Sequence, residues 1–343
     1  MYPTSRYPKA LVVGANGYLG EAVGRAFVRA GWETFGLIRR PEAAEMLSMN
    51  EITPVIGSLD DPSLATSLAS KVDYFDTIIV TVEDLANYTG FLDSLIHVLC
   101  SLSEVSRTNG VTMHVLLSSG MKDYGETGRA DTEGLQPHTE ESEMHPPHFL
   151  KLRAENCARI LEHGDAFDAT LIRPSNLYGL SGSTYGYFFH LANKALKSGV
   201  LELPSHPKTI LHSLHVDDCA EAFVALASPQ NRDKAKGSLF NIAGSRYETL
   251  EEIGETLVKE YGISGGVKYT PRGDERPGLD YVILGFSQWI SSDRIRETTG
   301  WSDRRPGFCE AIHTYRIAFE AALAQNHPVT QKLEYFMRLG GAE

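Results

Sequence analysis

Residues 10–20 read ALVVGANGYLG, and the reading of this stretch decides the fold. ALVVG (10–14) is a compact apolar run that stops at a glycine, as a buried strand does. Beyond it Leu19, Val23, Ala26, Phe27 and Ala30 recur at i, i+4, i+7, i+8 and i+11, which is one face of a helix. Three glycines join the two elements in the spacing G-x-x-G-x-x-G. Gly14 permits a tight turn, Gly17 lets the backbone approach a pyrophosphate, and Gly20 allows close packing of helix on strand. Asn16, Tyr18 and Leu19 complete this predicted cradle. The helix start offers free N–H groups and its positive end to phosphates.

Outward from that unit, short β-rich runs alternate with helical patterns. TFGLI (34–38), ITPVI (52–56), DTIIVTV (76–82), TMHVLLSS (112–119) and ATLIRP (169–174) read as strands. Helices are expected at 61–71, at 84–108 along Leu85, Tyr88, Leu92, Leu95, Leu99 and Leu102, and at 148–164 along Leu150, Ala154, Cys157, Ala158 and Leu161. Strand and helix in alternation predict an α/β fold: a doubly wound parallel sheet, with its ligand site beyond the carboxyl ends of the strands. Residues 1–175 form the expected dinucleotide-binding unit. Residues 176–343 form mainly a smaller substrate lobe and C-terminal helices. The chain returns to the sheet near 215–245, through the helix VDDCAEAFVALAS (216–228) and the strand LFNIAG (239–244). The acid-rich stretch 120–147 reads as a solvated loop, with a mobile lid as the specific alternative.

The 343 residues suffice for one large core or two units sharing a cleft. A formal charge of -12 argues against a nucleic-acid or anionic-membrane partner, and no run is long enough to span a membrane. The N-terminal MYPTSRYPKA has no signal-peptide core. Cys100, Cys157, Cys219 and Cys309 stand apart, without zinc or redox spacing, which fits a reducing, cytoplasmic compartment. His138, His145 and His148 in HTEESEMHPPH match no zinc motif, so no metal is expected.

Strand two ends in Arg39-Arg40, about twenty residues beyond the last glycine, where NAD-binding proteins usually carry an acid for the ribose hydroxyls. Two guanidinium groups there suit a 2′-phosphate instead, which points to NADP(H). A solvated surface pair is the plainer reading of either arginine.

Taken together, the chain resembles the extended short-chain dehydrogenases/reductases, the superfamily of sugar-nucleotide epimerases and dihydroflavonol reductases, over roughly residues 9–325. Besides GANGYLG, the resemblance rests on RPSNLYG (173–179), HVDDCAEAF (215–223), FNIAG (240–244) and SSDRIRETTGW (291–301). It implies that Leu59, Pro174 and Asn176 join the cofactor site. It also implies pairing of copies through the helices at 84–108 and 148–164, hence a homodimer. The family's chemistry uses a Tyr four residues before a Lys, and a Ser or Thr at the end of strand five. In KLRAE (151–155) Lys151 matches the lysine, which holds the nicotinamide ribose. Four residues earlier stands Pro147, and the Ser/Thr position falls at Gly120, beside Ser119. The tyrosine is therefore missing, and no proton transfer can occur at its position.

Substitutes for it lie nearby. His148, three residues before Lys151, carries an imidazole, the side-chain type suited to acid–base work near neutrality, although a histidine after two prolines also reads as an exposed helix start. Ser119 is a hydrogen-bond donor to a carbonyl or enolate oxygen, or simply the end of a strand. Tyr124 and Tyr178 are phenols in family motifs that border the pocket, with packing as their first reading. Lys122 and Asp123 could point into the site, although a turn surface is their default reading. Tyr185, Tyr187, Phe188, Phe189 and Leu191 form either an apolar wall for an aromatic substrate or ordinary helix packing.

Three functions follow. The first is an NADPH-dependent reductase of a small organic carbonyl, imine or activated alkene, with hydride oriented at the switch point. The second is a non-redox isomerase, lyase or cyclase of specialised metabolism on the same scaffold, favoured by the loss of the usual catalytic positions. The third is a cofactor-sensing regulator. Nicotinamide absorbance during turnover separates the first two, and cofactor-dependent partner binding marks the third.

Overall fold

The computed structural model describes residues 6–271, 278, 280–331 and 333. The ends of the two expected units, 1–5 and 334–343, lie outside the described residues. Seven strands form one sheet: β1 (Lys9–Val13), β2 (Glu33–Ile38), β3 (Thr53–Ile56), β4 (Thr77–Val80), β5 (His114–Ser118), β6 (Asp168–Pro174) and β7 (Ser238–Ile242). Their order in space is β3-β2-β1-β4-β5-β6-β7, and every pair is parallel. The order reverses beside β1, so the crevice between β1 and β4 is the topological switch point. Pro54 is tolerated because β3 is an edge strand, pairing only with β2.

The pleat sorts the strand residues onto two faces. Ala10, Val12, Ile79, Leu116 and Ile172 pack beneath α1 (Tyr18–Arg29) and a later helix, Val216–Ala227, with Phe27, Phe223 and Leu226. Leu11, Val13, Ile78, Val80, Val115, Leu117 and Leu171 face α2 (Leu64–Ala69) and α3 (Tyr88–Thr108). Both faces are buried, which is why these strands read as continuous apolar runs rather than alternating ones.

The expected single helix at 148–164 is not one α-helix. A 3₁₀ turn over His148–Leu150 leads into α4 (Lys151–Asn156), and a second 3₁₀ stretch covers Cys157–Glu162. The buried residues are Leu150, Arg153, Ala154, Cys157 and Ile160; Lys151, Leu152, Glu155 and Ala158 are exposed. The 120–147 stretch is not free of the body. Thr127 N–H donates to Ser287 O (2.9 Å), Ala130 N–H to Lys208 O (2.9 Å), and His138 N–H to Trp289 O (2.9 Å). Glu140 Oε1 accepts from Asn241 N–H at 2.9 Å. The lid reading therefore gives way to a strap sewn across the second half of the chain.

A third core gathers Tyr178, Tyr185, Phe188, Phe189, Leu250, Leu257, Phe308 and Phe319. Tyr185, Tyr187, Phe188 and Phe189 are all buried, and none lines the cavity at the switch point. Helix packing, not a substrate wall, accounts for them.

Candidate active site

The glycine turn works through backbone. Gly14 adopts φ +85°, and a Cβ there would meet Val82 Cβ at 3.0 Å. A Cβ on Gly20 would lie 2.1 Å from the Gly14 carbonyl oxygen, a position no real side chain occupies. Gly17 caps α1 and spends its own N–H on Gly14 O (2.9 Å). With glycine at the cap, no side chain satisfies the next amides of α1, which stay available to an anion. The turn thus fits the pyrophosphate of a dinucleotide. Asn16 is half-buried in the turn, and Leu19 opens onto the cavity. Tyr18 reaches across and donates its hydroxyl to Gly179 O at 2.7 Å, with its ring lying where a side chain on Gly182 would go. Arg39 and Arg40 are exposed just beyond β2 and make no ion pair among the described residues. Leu59 lies apart from the cavity at the switch point, in a groove between α2 and α3 with Ala65, His97 and Val98.

The cavity at the switch point, about 360 Å³, opens at the carboxyl ends of β1, β4, β5 and β6. Leu19, Thr81, Val82 and Glu83 line one side, Ser118 to Lys122 the floor, and Pro174 to Leu177 the far wall. Phe149, Leu150 and Arg153 close it.

Several sequence-derived candidates lie elsewhere. Lys151 is turned outward, its ammonium 3.7 Å from Glu155 on the same helix face, and it does not line the cavity. His148 is exposed and also outside the lining. Tyr124 is fully buried, donating its hydroxyl to Asn241 Oδ1 at 2.9 Å beneath the Arg173 guanidinium. Burial raises its pKa further above that of a free phenol. Tyr178 likewise donates to Pro306 O (2.8 Å) within the third core. Ser119 stays at the cavity, but its hydroxyl is committed to Asp123 Oδ2 at 2.5 Å.

Asp123, whose default reading is a turn surface, is instead a buried part of the site, and so is Arg153, which has no role in the sequence reading. Asp123 is 0 % exposed and Arg153 is 7 % exposed. Arg153 Nε donates to Asp123 Oδ1 (2.9 Å), and its Nη1 lies 3.0 Å from Glu83 Oε2. Arg173 Nε lies 3.4 Å from Asp123 Oδ2. The guanidinium of Arg153 fills the space beside Gly120, where a Cβ would be 3.1 Å from Nη2. An arginine thus occupies the region that the resemblance reserves for a serine side chain. Arg153 was open to sequence reasoning, because it stands three residues after Leu150 and four before Cys157, on the apolar stripe.

Lys122 is the titratable amine of the cavity. Its Nζ donates to Asn176 Oδ1 at 2.9 Å and lies 4.9 Å from the centre of the Phe286 ring. Burial, with the Arg153 charge adding to it, pushes its pKa down to about 8; Glu126 opposes the shift. At neutral pH it is a protonated amine close to releasing its proton, and can donate one to an oxygen in the cavity.

Around this geometry, comparisons with known proteins agree. The model of the NAD dependent epimerase/dehydratase family matches residues 10–243. An uncharacterized protein of Schizosaccharomyces pombe is 24% identical over 296 residues, 85% of this chain and 94% of that protein. A putative epimerase from Burkholderia cenocepacia superposes with a TM-score of 0.71 at 20% identity, over 92% of this chain and 99% of the other. The dTDP-glucose 4,6-dehydratase of Bacillus anthracis, solved in complex with NAD, gives 0.70 at 16% identity over 92% and 97%. The UDP-glucose 4-epimerase of Thermotoga maritima, solved with UDP-glucose, gives 0.69 at 17% over 92% and 99%. With a parallel seven-stranded sheet, the glycine turn at its switch point and the family model spanning both, this chain belongs to the NAD dependent epimerase/dehydratase family, whose members are enzymes.

Proposed function

We propose that the protein is an NADP(H)-binding reductase of a small organic carbonyl, imine or activated alkene. The observation that carries this reading is the course of the cavity. It runs from Leu19, in the first turn of α1 behind the glycine turn, to Lys122 and Asn176 at the ends of β5 and β6. A nicotinamide dinucleotide bound there supplies a hydride. The chain's own residues do the rest: the α1 amides hold phosphate, Pro174 and Leu177 wall the cavity, and Lys122 Nζ hands a proton to the substrate oxygen. Arg39 and Arg40, exposed beyond β2 and without acid partners among the described residues, are placed to meet a 2′-phosphate.

Titration calorimetry with NADPH and NADH tests the cofactor. NADPH should bind roughly tenfold or more tightly, by about 1.5–3 kcal/mol, and Arg39→Ala/Arg40→Ala should erase the difference. Equal affinities in the wild type would remove the 2′-phosphate argument. Nicotinamide absorbance tests the chemistry. Turnover of the natural substrate with constant absorbance favours the second reading, a non-redox isomerase, lyase or cyclase. The observation that favours this alternative is the joint departure at Gly120, Pro147 and Lys151, which leaves no serine, tyrosine or inward lysine at the usual places.

A further inference from the structure

One cation of the cavity stands apart from the ion pairs around it. Arg153 is neutralised by Asp123 and Glu83, and Asp123 also takes Arg173 at 3.4 Å. Lys122 lies outside this cluster of two guanidinium groups and two carboxylates. Lys122 makes no ion pair among the described residues. Its nearest acidic influence, Glu126, is exposed and already accepts from Tyr281 Oη (2.9 Å) and Ser287 N–H (3.2 Å). The Asn176 side chain is fixed in orientation, because an ammonium only donates and must face the amide oxygen. The Asn176 NH₂ is then left as a second donor on the cavity wall, beside the remaining N–H groups of Lys122. Apolar surface surrounds this pair of donors: Val82, Leu85, Phe149 and Leu177, with Leu85 and Phe149 partly open to solvent.

We propose that the cavity takes a small carboxylic acid, its carboxylate held by the Lys122 ammonium and the Asn176 amide, and its aromatic or alkyl body lying against Phe149, Leu85 and Leu177. One carboxylate gives the Lys122 ammonium the contact partner it lacks among the described residues. A diphosphate would bring more negative charge than this one amine can meet and crowd it against Glu83. The proposal names the substrate class of the reductase reading, an acid whose alkene is conjugated with its carboxylate, so that the oxygen receiving the Lys122 proton as hydride enters the alkene is a carboxylate oxygen; it rests on that reading for the placement of the substrate in this cavity. The ease with which Lys122 loses its proton has the same origin, a buried amine with Arg153 near it and the more distant Glu126 offsetting only part of the effect.

The test uses the full chain saturated with NADPH, with trans-cinnamate and its neutral analogue trans-cinnamamide as probes in calorimetry. Cinnamate should bind at least tenfold more tightly than cinnamamide. Lys122→Met should remove that preference, and Lys122→Arg should keep most of it. In the wild type, cinnamate affinity should fall about tenfold per pH unit above the pKa of the amine, while cinnamamide affinity stays level. Equal affinity for the two probes, absence of binding by both, or a preference that survives Lys122→Met would overturn the proposal. If Lys122→Met does not fold, the wild-type pH series decides it, and level cinnamate affinity from pH 7 to pH 10 counts against it. NADPH binding is read in the same titrations. If NADPH fails to bind, the cofactor reading falls, and the cinnamate arms, repeated on the protein alone, still decide the carboxylate site.

Discussion

The two ends of one cavity are built on different principles. At the α1 end, residues 14–20 act through backbone: a positive φ, a carbonyl 2.1 Å from where a methyl would go, and helix amides without a capping side chain. At the other end, residues 118–124 and 147–153 act through side chains, and their roles depend on which way each one turns. Lys151 and Arg153 are two residues apart, about 200° around a helix, so one faces water when the other faces the cavity. The chain turns Arg153 inward because Leu150, Ala154 and Cys157 must be buried on that side. A motif read by spacing alone selects the wrong one of the pair. The lesson is that glycines report a backbone shape directly, whereas a charged residue reports a role only after the helix phase is known.

The largest test of this contrast is Arg153→Leu. It leaves Asp123 fully buried with the longer Arg173 contact and the Ser119 hydroxyl, and Glu83 without its partner. Breaking a buried pair by removing one member typically costs about 3–5 kcal/mol, and the remaining Arg173 holds the expected loss near the low end. Urea denaturation should show it. A variant as stable as wild type would mean that the cluster does not hold the floor of the cavity.

Next is Gly20→Ala, which tests the backbone end with one methyl group. The added Cβ overlaps the Gly14 carbonyl and comes within 2.8 Å of Thr81 Oγ1, so α1 must move off the turn. A stability loss of about 1–3 kcal/mol is expected, together with loss of NADPH binding in calorimetry. Retention of both would break the claim that this end tolerates no side chain.

How much of this was legible follows the same division. All seven sheet strands were visible as apolar runs; the central ones are buried on both faces and carry little else, while the edge strand β3 buries only Val55. The glycine cradle was visible because only glycine fits it. Asp123 was hidden, since an acid in a short turn ordinarily faces water, and nothing local announces that Arg153, thirty residues on, will bury it. Lys122 was hidden for the same reason: its partner Asn176 arrives from beyond β6. Tyr124, offered as a catalytic candidate, and Tyr178 sit in family motifs, and their hydroxyls are spent on Asn241 and Pro306, as packing residues' are.

Lys122 offers a pH test. Its folded pKa is depressed to about 8, against about 10.4 for an unfolded lysine. The unfolded chain therefore binds more protons between these values, and stability rises with pH across that window. Below about pH 8 the penalty of holding the charged amine is fully present; above about pH 10.4 it is gone. Relative to Lys122→Met, the wild type should gain about 1–3 kcal/mol between pH 7.5 and pH 10.5 in paired denaturation curves. Parallel curves for the two proteins would mean that the amine titrates as it does in water.

The smallest effect belongs to the residue that the motif singles out. Lys151→Met removes an exposed ammonium whose only partner among the described residues is Glu155, at 3.7 Å. Exposed i,i+4 pairs contribute roughly 0.3–0.5 kcal/mol, and a lysine placed N-terminal to its glutamate is the weaker orientation. Stability should therefore change by less than about 0.5 kcal/mol, and NADPH affinity by less than about twofold. Calorimetry against Arg153→Leu sharpens the comparison, since the two positions exchange roles between motif and structure. A tenfold loss of NADPH binding in Lys151→Met, with Arg153→Leu binding normally, would restore the lysine as the ribose anchor. It would require α4 to turn by about half a revolution when the cofactor binds, carrying Leu150 and Ala154 out of the core, and that cost makes the outward lysine the expected state in both forms.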